Sequence, residues 1–138
     1  MLNAVHPAYL AKVMAAQLNA RFEKKGEKAA MVFVSSAASM MSSPGNLIYS
    51  AAKIFTSYIG EGLYYEFEGK VDVTNYMPAS VETNMNNAEK VGSSAGFISA
   101  DIAVETSLRD LGIEPNTYGH SSHENIVSFM SMFPKPMM

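Results

Sequence analysis

The sequence predicts an α/β fold in which a parallel sheet is flanked by helices. Three observations predict it. Segments with helical spacing alternate with short β-rich segments along the chain, an order that argues for βαβ units. The run Ala29-Ala-Met-Val-Phe-Val34 is continuously apolar, as suits a strand buried on both faces of a parallel sheet. Gly26, Gly69 and Gly112 each follow a helical segment, where a left-handed residue ends a helix at little steric cost.

The elements follow in order. Residues 3–25 read as a helix, with Ala4, Tyr9, Leu10, Val13, Met14, Leu18 and Phe22 at helical spacing. Pro7 falls in its first turns, and Lys24-Lys25-Gly26 is a basic last turn with a glycine stop. Residues 29–35 are the first strand, and a loop rich in Ser, Ala and Met runs from Ser36 to Gly45. A second helix covers 47–68, with Ile48, Ala52, Phe55, Ile59, Leu63 and Phe67 as its apolar face. Residues 70–76 alternate and carry β-branched side chains, so they read as a strand. The loop Met77-Pro-Ala-Ser-Val-Glu-Thr83 lies at its C-terminal end. A third helix covers 98–111, with Ile102, Ala103, Thr106 and Leu111 facing inward. From Thr117 the chain holds a short strand and an apolar helical tail. At 138 residues, one domain is the default.

Composition narrows the function. The formal net charge is −3 with both signs interspersed, and without a basic stripe nucleic acid is not an expected partner. There is no cysteine, which excludes disulfides and thiolate metal sites. No apolar run approaches the roughly 18 residues of a membrane span, and Met1-Leu-Asn-Ala-Val-His lacks the basic lead of a secretory signal. The methionines are scattered, as core fillers are. In His120-Ser-Ser-His123-Glu124, two ligands of that spacing without a third are weak evidence for a metal site. A histidine pair in a loop or at a helix start is the expected reading, with no metal, and His6 is expected on a helix surface.

Ser36, Tyr49 and Lys53 carry the candidate chemistry. The strand delivers the serine hydroxyl, and the start of the next helix delivers a phenol and an ammonium. Tyr49 and Lys53 are four residues apart, so they share one helix face. A free phenol titrates near ~10, and a neighbouring ammonium favours its anion. A hydroxyl beside them could hold a carbonyl oxygen for proton transfer. In open α/β sheets, ligands lie beyond the C-terminal strand ends. Ser36 and the 78–83 loop are both predicted there.

With these residues in hand, the chain resembles the C-terminal half of the short-chain dehydrogenase/reductase family. Tyr49-Ser-Ala-Ala-Lys53 looks like the family's Tyr-x-x-x-Lys, and Ser36 stands thirteen residues earlier, at the spacing of its serine. Asn3 looks like the asparagine of its proton relay, and Pro78-Ala-Ser-Val81-Glu-Thr83 like its Pro-Gly-x-Val-x-Thr loop. The resemblance implies a partial Rossmann-like sheet, half of a doubly wound fold, over residues 1–138. It implies Tyr49 as general acid/base and Lys53 as the group that activates it and binds the nicotinamide ribose. Ser36 would orient the substrate carbonyl, and Asn3 would hold a relay water. Thr83 would contact the nicotinamide carboxamide, with Pro78 and Val81 lining the same cofactor site. The cofactor implied is NADP, or NAD. The segments Asn3-Ala-Val-His-Pro-Ala-Tyr-Leu-Ala-Lys12 and Asn116-Thr-Tyr-Gly-His120 are similar to those of the 17β-hydroxysteroid dehydrogenase type 12 and 3-ketoacyl-CoA reductase group. That likeness implies a hydrophobic ketone substrate and association with the endoplasmic reticulum membrane; without it the reading is cytoplasmic.

Two departures stand against this pattern. Ala79 occupies the place of the family's loop glycine, and the sequence has no Gly-x-x-x-Gly-x-Gly turn to seat a pyrophosphate at a helix N-terminus. The adenosine half of the cofactor site is therefore expected to be absent from this chain. Two functions follow: an NADP(H)-dependent reductase of a fatty-acyl-CoA or steroid-like ketone, or an inactive dehydrogenase-like half-domain that serves dimerisation or assembly. In either case the 29–35 strand is expected to expose an edge, and the chain to form a homo-oligomer or to pair with the missing half. In the family the helices at 3–25 and 47–68 build a four-helix dimer interface. The substrate determinants are expected in residues 84–97 and the C-terminal tail.

Overall fold

The computed structural model describes residues 2–42, 44–83 and 96–132. Its elements are α1 (Val5–Lys25), β1 (Ala29–Val34), α2 (Leu47–Glu66), β2 (Val71–Tyr76), α3 (Ala100–Arg109), β3 (Asn116–Thr117) and α4 (Ser121–Ser131). A single 3-10 turn, Ala37–Met40, links β1 to α2. The predicted order holds, and the helices are shorter by one or two residues at several ends. Pro7 is the third residue of α1, where its missing N–H belongs to donors a helix leaves unpaired anyway. Gly26 closes α1 at φ 67°, and its N–H donates to the Phe22 carbonyl at 2.7 Å. Ser99 caps α3 by accepting from the Ile102 N–H, with Asp101 in the first turn and Arg109 in the last, as the helix dipole favours.

The strands form one parallel sheet in the order β1-β2-β3. Ala29 pairs with Val71 and the register runs to Val34 opposite Tyr76. β3 pairs only through Asn116 and Thr117, opposite Asn75 and Tyr76. The pairing continues past the strand ends. The Ser35 N–H donates to the Tyr76 carbonyl at 2.8 Å, Ala37 N–H to Pro78 at 2.9 Å, and Met77 N–H to Thr117 at 2.8 Å. The loops that leave the sheet are thereby held side by side at its C-terminal end.

The pleat divides the core in two. Phe33, Val71 and Val73 pack with Ala11, Leu18, Ile59 and Leu63 of α1 and α2. Gly60 lets α2 approach closely: a methyl there would lie 3.2 Å from both the Asn75 and Phe33 Cβ atoms. On the opposite face Tyr76 packs with Ile98 and Ala103, and the Thr74 hydroxyl accepts from the Gly112 N–H at 2.9 Å.

Three packing expectations need correction. On α1 the buried residues are Ala11 and Ala15, whereas Tyr9 is 70% exposed and Leu10 and Val13 are also on the surface. On α2 they are Ser50, Thr56, Ser57 and Gly60, whereas Ile48 is 82% exposed and Phe55 is also exposed. On α3 they are Ala103 and Ser107, whereas Ile102 is exposed. Small residues let these helices lie close to the sheet, and the larger apolar side chains of the same broad stripes turn outward. β1 is buried on one face only. Phe33 is inside, but Val32 and Val34 are exposed, because no described element covers that side of the strand.

Among the described residues no helix is long and apolar enough to cross a membrane, and no cluster of His, Asp and Glu could hold a metal. His120 and His123 do start a helix. His120 caps α4, its Nδ1 accepting from the Ser122 N–H. His6 is exposed. Of the predicted substrate determinants, residues 84–95 and 133–138 lie outside the described residues.

Candidate active site

The candidate site is assembled on α2 and the end of β1. Tyr49 and Lys53 lie on one face of α2, with the Lys53 ammonium 5.7 Å from the centroid of the Tyr49 ring. This is within reach of a cation–π attraction. Lys53 Nζ also donates to the Val34 carbonyl at 3.0 Å, so the ammonium ties the phenol-bearing helix to the strand that delivers Ser36. The Tyr49 side is open to solvent, at 39% exposure.

The two adjacent serines do different work. Ser35 is 2% exposed; its Oγ donates to the Lys53 carbonyl at 2.7 Å and accepts from Ser57 Oγ at 2.8 Å. It fastens β1 to the turn of α2 that carries Lys53. Ser36 points the other way, as strand alternation demands. Its Oγ accepts from the Ala38 N–H at 3.2 Å and caps the 3-10 turn. Among the described residues its O–H has no acceptor, so it is available as a donor.

Asn3 enters through its backbone. Its carbonyl accepts from Thr56 Oγ1 at 3.0 Å, one turn beyond Lys53 on α2. Asn3 precedes α1, whose N-cap is Ala4. Pro78 is joined to the Ser36 turn by the Ala37 N–H. Val81 is held from the far side by a parallel bridge to Ile98, and Thr83 lies two residues on, exposed. The structure therefore brings Tyr49, Lys53, the Ser36 turn, Pro78 and the Asn3 backbone into one connected unit. Val81 and Thr83 reach it along the 78–83 loop.

Sequence reasoning missed Ser35 and Ser57, which build the joint between β1 and α2. A signal was available: Ser50, Thr56 and Ser57 are polar residues on the face of α2 that packs inward. Two further phenols have shifted titration. Burial pushes Tyr76 upward, and burial followed by the Glu124 charge does the same to Tyr118. Tyr118 lines a cavity of about 380 Å³ with Met40, Ile54, Glu61 and Met77.

The unit sets a hydroxyl donor, an accessible phenol and an ammonium near the C-terminal ends of parallel strands. Residues 3–94 match the short chain dehydrogenase family. The chain is 29% identical over 111 residues to the very-long-chain 3-oxoacyl-CoA reductase of Mus musculus, covering 80% of this chain and 35% of that protein. It is 31% identical over 99 residues to hydroxysteroid dehydrogenase-like protein 1 of Gallus gallus, covering 70% and 30%. The chain thus spans about a third of the length of these relatives. A 7β-hydroxysteroid dehydrogenase structure superposes with a TM-score of 0.68 at 22% identity, over 78% of this chain and 45% of that one. The bulky-bulky ketone specific alcohol dehydrogenase from Comamonas testosteroni gives 0.65 at 24%, over 98% and 53%. These structural likenesses establish the fold, a partial Rossmann-like sheet. With two thirds of its residues matched in sequence, the chain belongs to the short-chain dehydrogenase family.

Proposed function

We propose that this chain carries the nicotinamide-facing, catalytic half of an NADP(H)-dependent reductase acting on a ketone of a fatty-acyl-CoA or steroid-like substrate. The observation that supports it most is the Lys53 ammonium, set between the Tyr49 ring and the carbonyl that ends β1. The donor set fits the nicotinamide end of such a cofactor: Lys53 and Tyr49 would face its ribose, and Pro78, Val81 and Thr83 its carboxamide side. When bound, the reduced nicotinamide supplies the hydride.

The chain's own residues do the rest. Ser36 donates its free O–H to the ketone oxygen and fixes its orientation. Tyr49 delivers its phenolic proton to that oxygen as negative charge develops there. Lys53 stabilises the phenolate left behind, and Asn3, whose carbonyl accepts from Thr56, would hold a water that returns the proton. General acid catalysis of this kind contributes about 10²–10⁴ in rate.

The reading requires an adenosine half of the site, for which this sequence holds no glycine-rich turn. The test is a fluorescence titration with NADPH, on this chain and on a form extended upstream in its genomic frame. Binding by the extended form is expected, and failure of both to bind would defeat the reductase reading. A second reading is favoured by the bare side of β1 and the outward apolar residues of α1 and α2: a half-domain whose role is assembly with a partner or a second copy. Stable oligomers that bind no NADPH in either form would select it.

A further inference from the structure

His123 sits on α4 with no exposed surface, and the chemistry described so far does not use it. Its Nε2 faces two backbone carbonyls, Gly96 O at 2.9 Å and Ser80 O at 3.3 Å. Carbonyls only accept, so Nε2 carries the proton and is shared between them. Nδ1 is buried with no partner among the described residues. A single N–H therefore joins two points sixteen residues apart in sequence. One is in the middle of the 78–83 loop; the other is the first described residue after position 95.

The same two points are bound to each other by a short ladder. The Ile98 N–H donates to the Ser80 carbonyl at 3.2 Å, and the Glu82 N–H donates to the Ile98 carbonyl at 2.9 Å. Val81 lies between them in the parallel bridge. α4 makes a second contact at this place. Gly96 has φ 87°, and a Cβ there would lie 2.0 Å from Cδ1 of Ile126. Successive turns of α4 thus press on one spot, His123 through a hydrogen bond and Ile126 by contact.

We propose that His123 is a positioning residue. Its Nε2–H clamps the Ser80 and Gly96 carbonyls together and so fixes the Val81 backbone at the height where the 78–83 loop meets the cofactor. The value of this for function rests on the nicotinamide role proposed for that loop; the clamp itself rests on the geometry alone. An imidazole suits the task because it is compact, apolar around its ring and able to donate from its far end. Glutamine places an amide N–H at a similar distance from the backbone, whereas phenylalanine keeps the ring and loses the donor.

Amide hydrogen exchange tests the proposal on the chain as it stands. His123→Phe is expected to speed exchange at the Glu82 and Ile98 amides about tenfold, the loss of roughly one hydrogen bond's worth of local stability. The Asn75 amide, bonded to the Pro115 carbonyl, is expected to stay protected, and His123→Gln to restore most of the protection at Glu82 and Ile98. Unchanged exchange at those two amides overturns the clamp. An equal rise at Asn75 also overturns it, because the histidine is then ordinary core. Nitrogen NMR of the imidazole offers an independent reading: a proton on Nδ1 rather than Nε2 contradicts the clamp. NADPH titration of the same samples separates the two claims. A local exchange effect without cofactor binding in any form defeats the reductase reading and leaves the clamp standing.

Discussion

The Lys53 ammonium donates to the Val34 carbonyl at 3.0 Å. Through this bond α2 holds the end of β1, and the ammonium that neighbours Tyr49 is oriented by the strand that presents Ser36. The bond is exposed, so it contributes little to stability. Lys53→Met is expected to change unfolding free energy by at most about 1 kcal/mol, measured by urea denaturation. Its cost should instead fall on ketone reduction, by about 10²-fold or more. A large loss of stability with unchanged turnover would make Lys53 a structural residue.

Ser35 and Ser36 should separate cleanly. Ser35→Ala removes a buried hydroxyl and leaves the Lys53 carbonyl with a weaker set of donors, so it is expected to destabilise the fold by about 1–3 kcal/mol. Ser36→Ala loses the long 3.2 Å cap of the 3-10 turn, at a cost of about 0.5–1 kcal/mol, and is expected to lower turnover. Denaturation and rate measurements on the two variants check this. The reverse pattern would place the functional hydroxyl at Ser35.

Gly60 sits where α2 crosses the sheet. Alanine would gain about 1 kcal/mol of helix propensity. Its methyl would meet Asn75 and Phe33 at 3.2 Å, in a core whose overpacking costs about 1–3 kcal/mol. The net expectation for Gly60→Ala is a lower melting temperature. A higher one would show that the helix and sheet can separate slightly without loss.

Stability should fall in alkali through Tyr76. Burial raises its folded value above the ordinary 10.0, so the unfolded chain loses this proton first. The stabilisation is complete below the unfolded value and is lost as pH rises through the folded one. The Tyr76 hydroxyl is buried without a partner among the described residues. Tyr76→Phe should therefore reduce the alkaline fall and preserve stability at neutral pH. Thermal melts of both proteins across pH 9–11 check this, and identical alkaline profiles would exclude Tyr76 as the source.

How much of this was legible depended on the range of the interaction. The Tyr49–Lys53 pair could be read because helix geometry alone puts residues four apart on one face. The strands were legible from apolar runs, and the parallel order from their alternation with helices. Which apolar residues are buried was legible only in part: Leu18, Ile59, Leu63 and Ala103 pack inward as their spacing suggests. Tyr9 and Ile48 have the spacing of core residues, yet small neighbours such as Ala11 and Gly60 took the inner positions, and the outcome depended on how closely helix and sheet approach. Ser35 was hidden beside Ser36 because alternation says that they face opposite ways but not which way has a partner. His123 was invisible as a clamp because its partners, Ser80 and Gly96, are distant in sequence and offer backbone carbonyls rather than recognisable side chains.

In the proposed reaction the Tyr49 phenol supplies the proton to the ketone oxygen. The most direct measurement is NADPH-dependent turnover of a bulky ketone by the extended form that binds the cofactor, compared with its Tyr49→Phe variant. The variant is expected to bind NADPH and fold as before, with turnover lower by about 10²–10⁴-fold. Turnover retained by Tyr49→Phe would contradict this role of Tyr49.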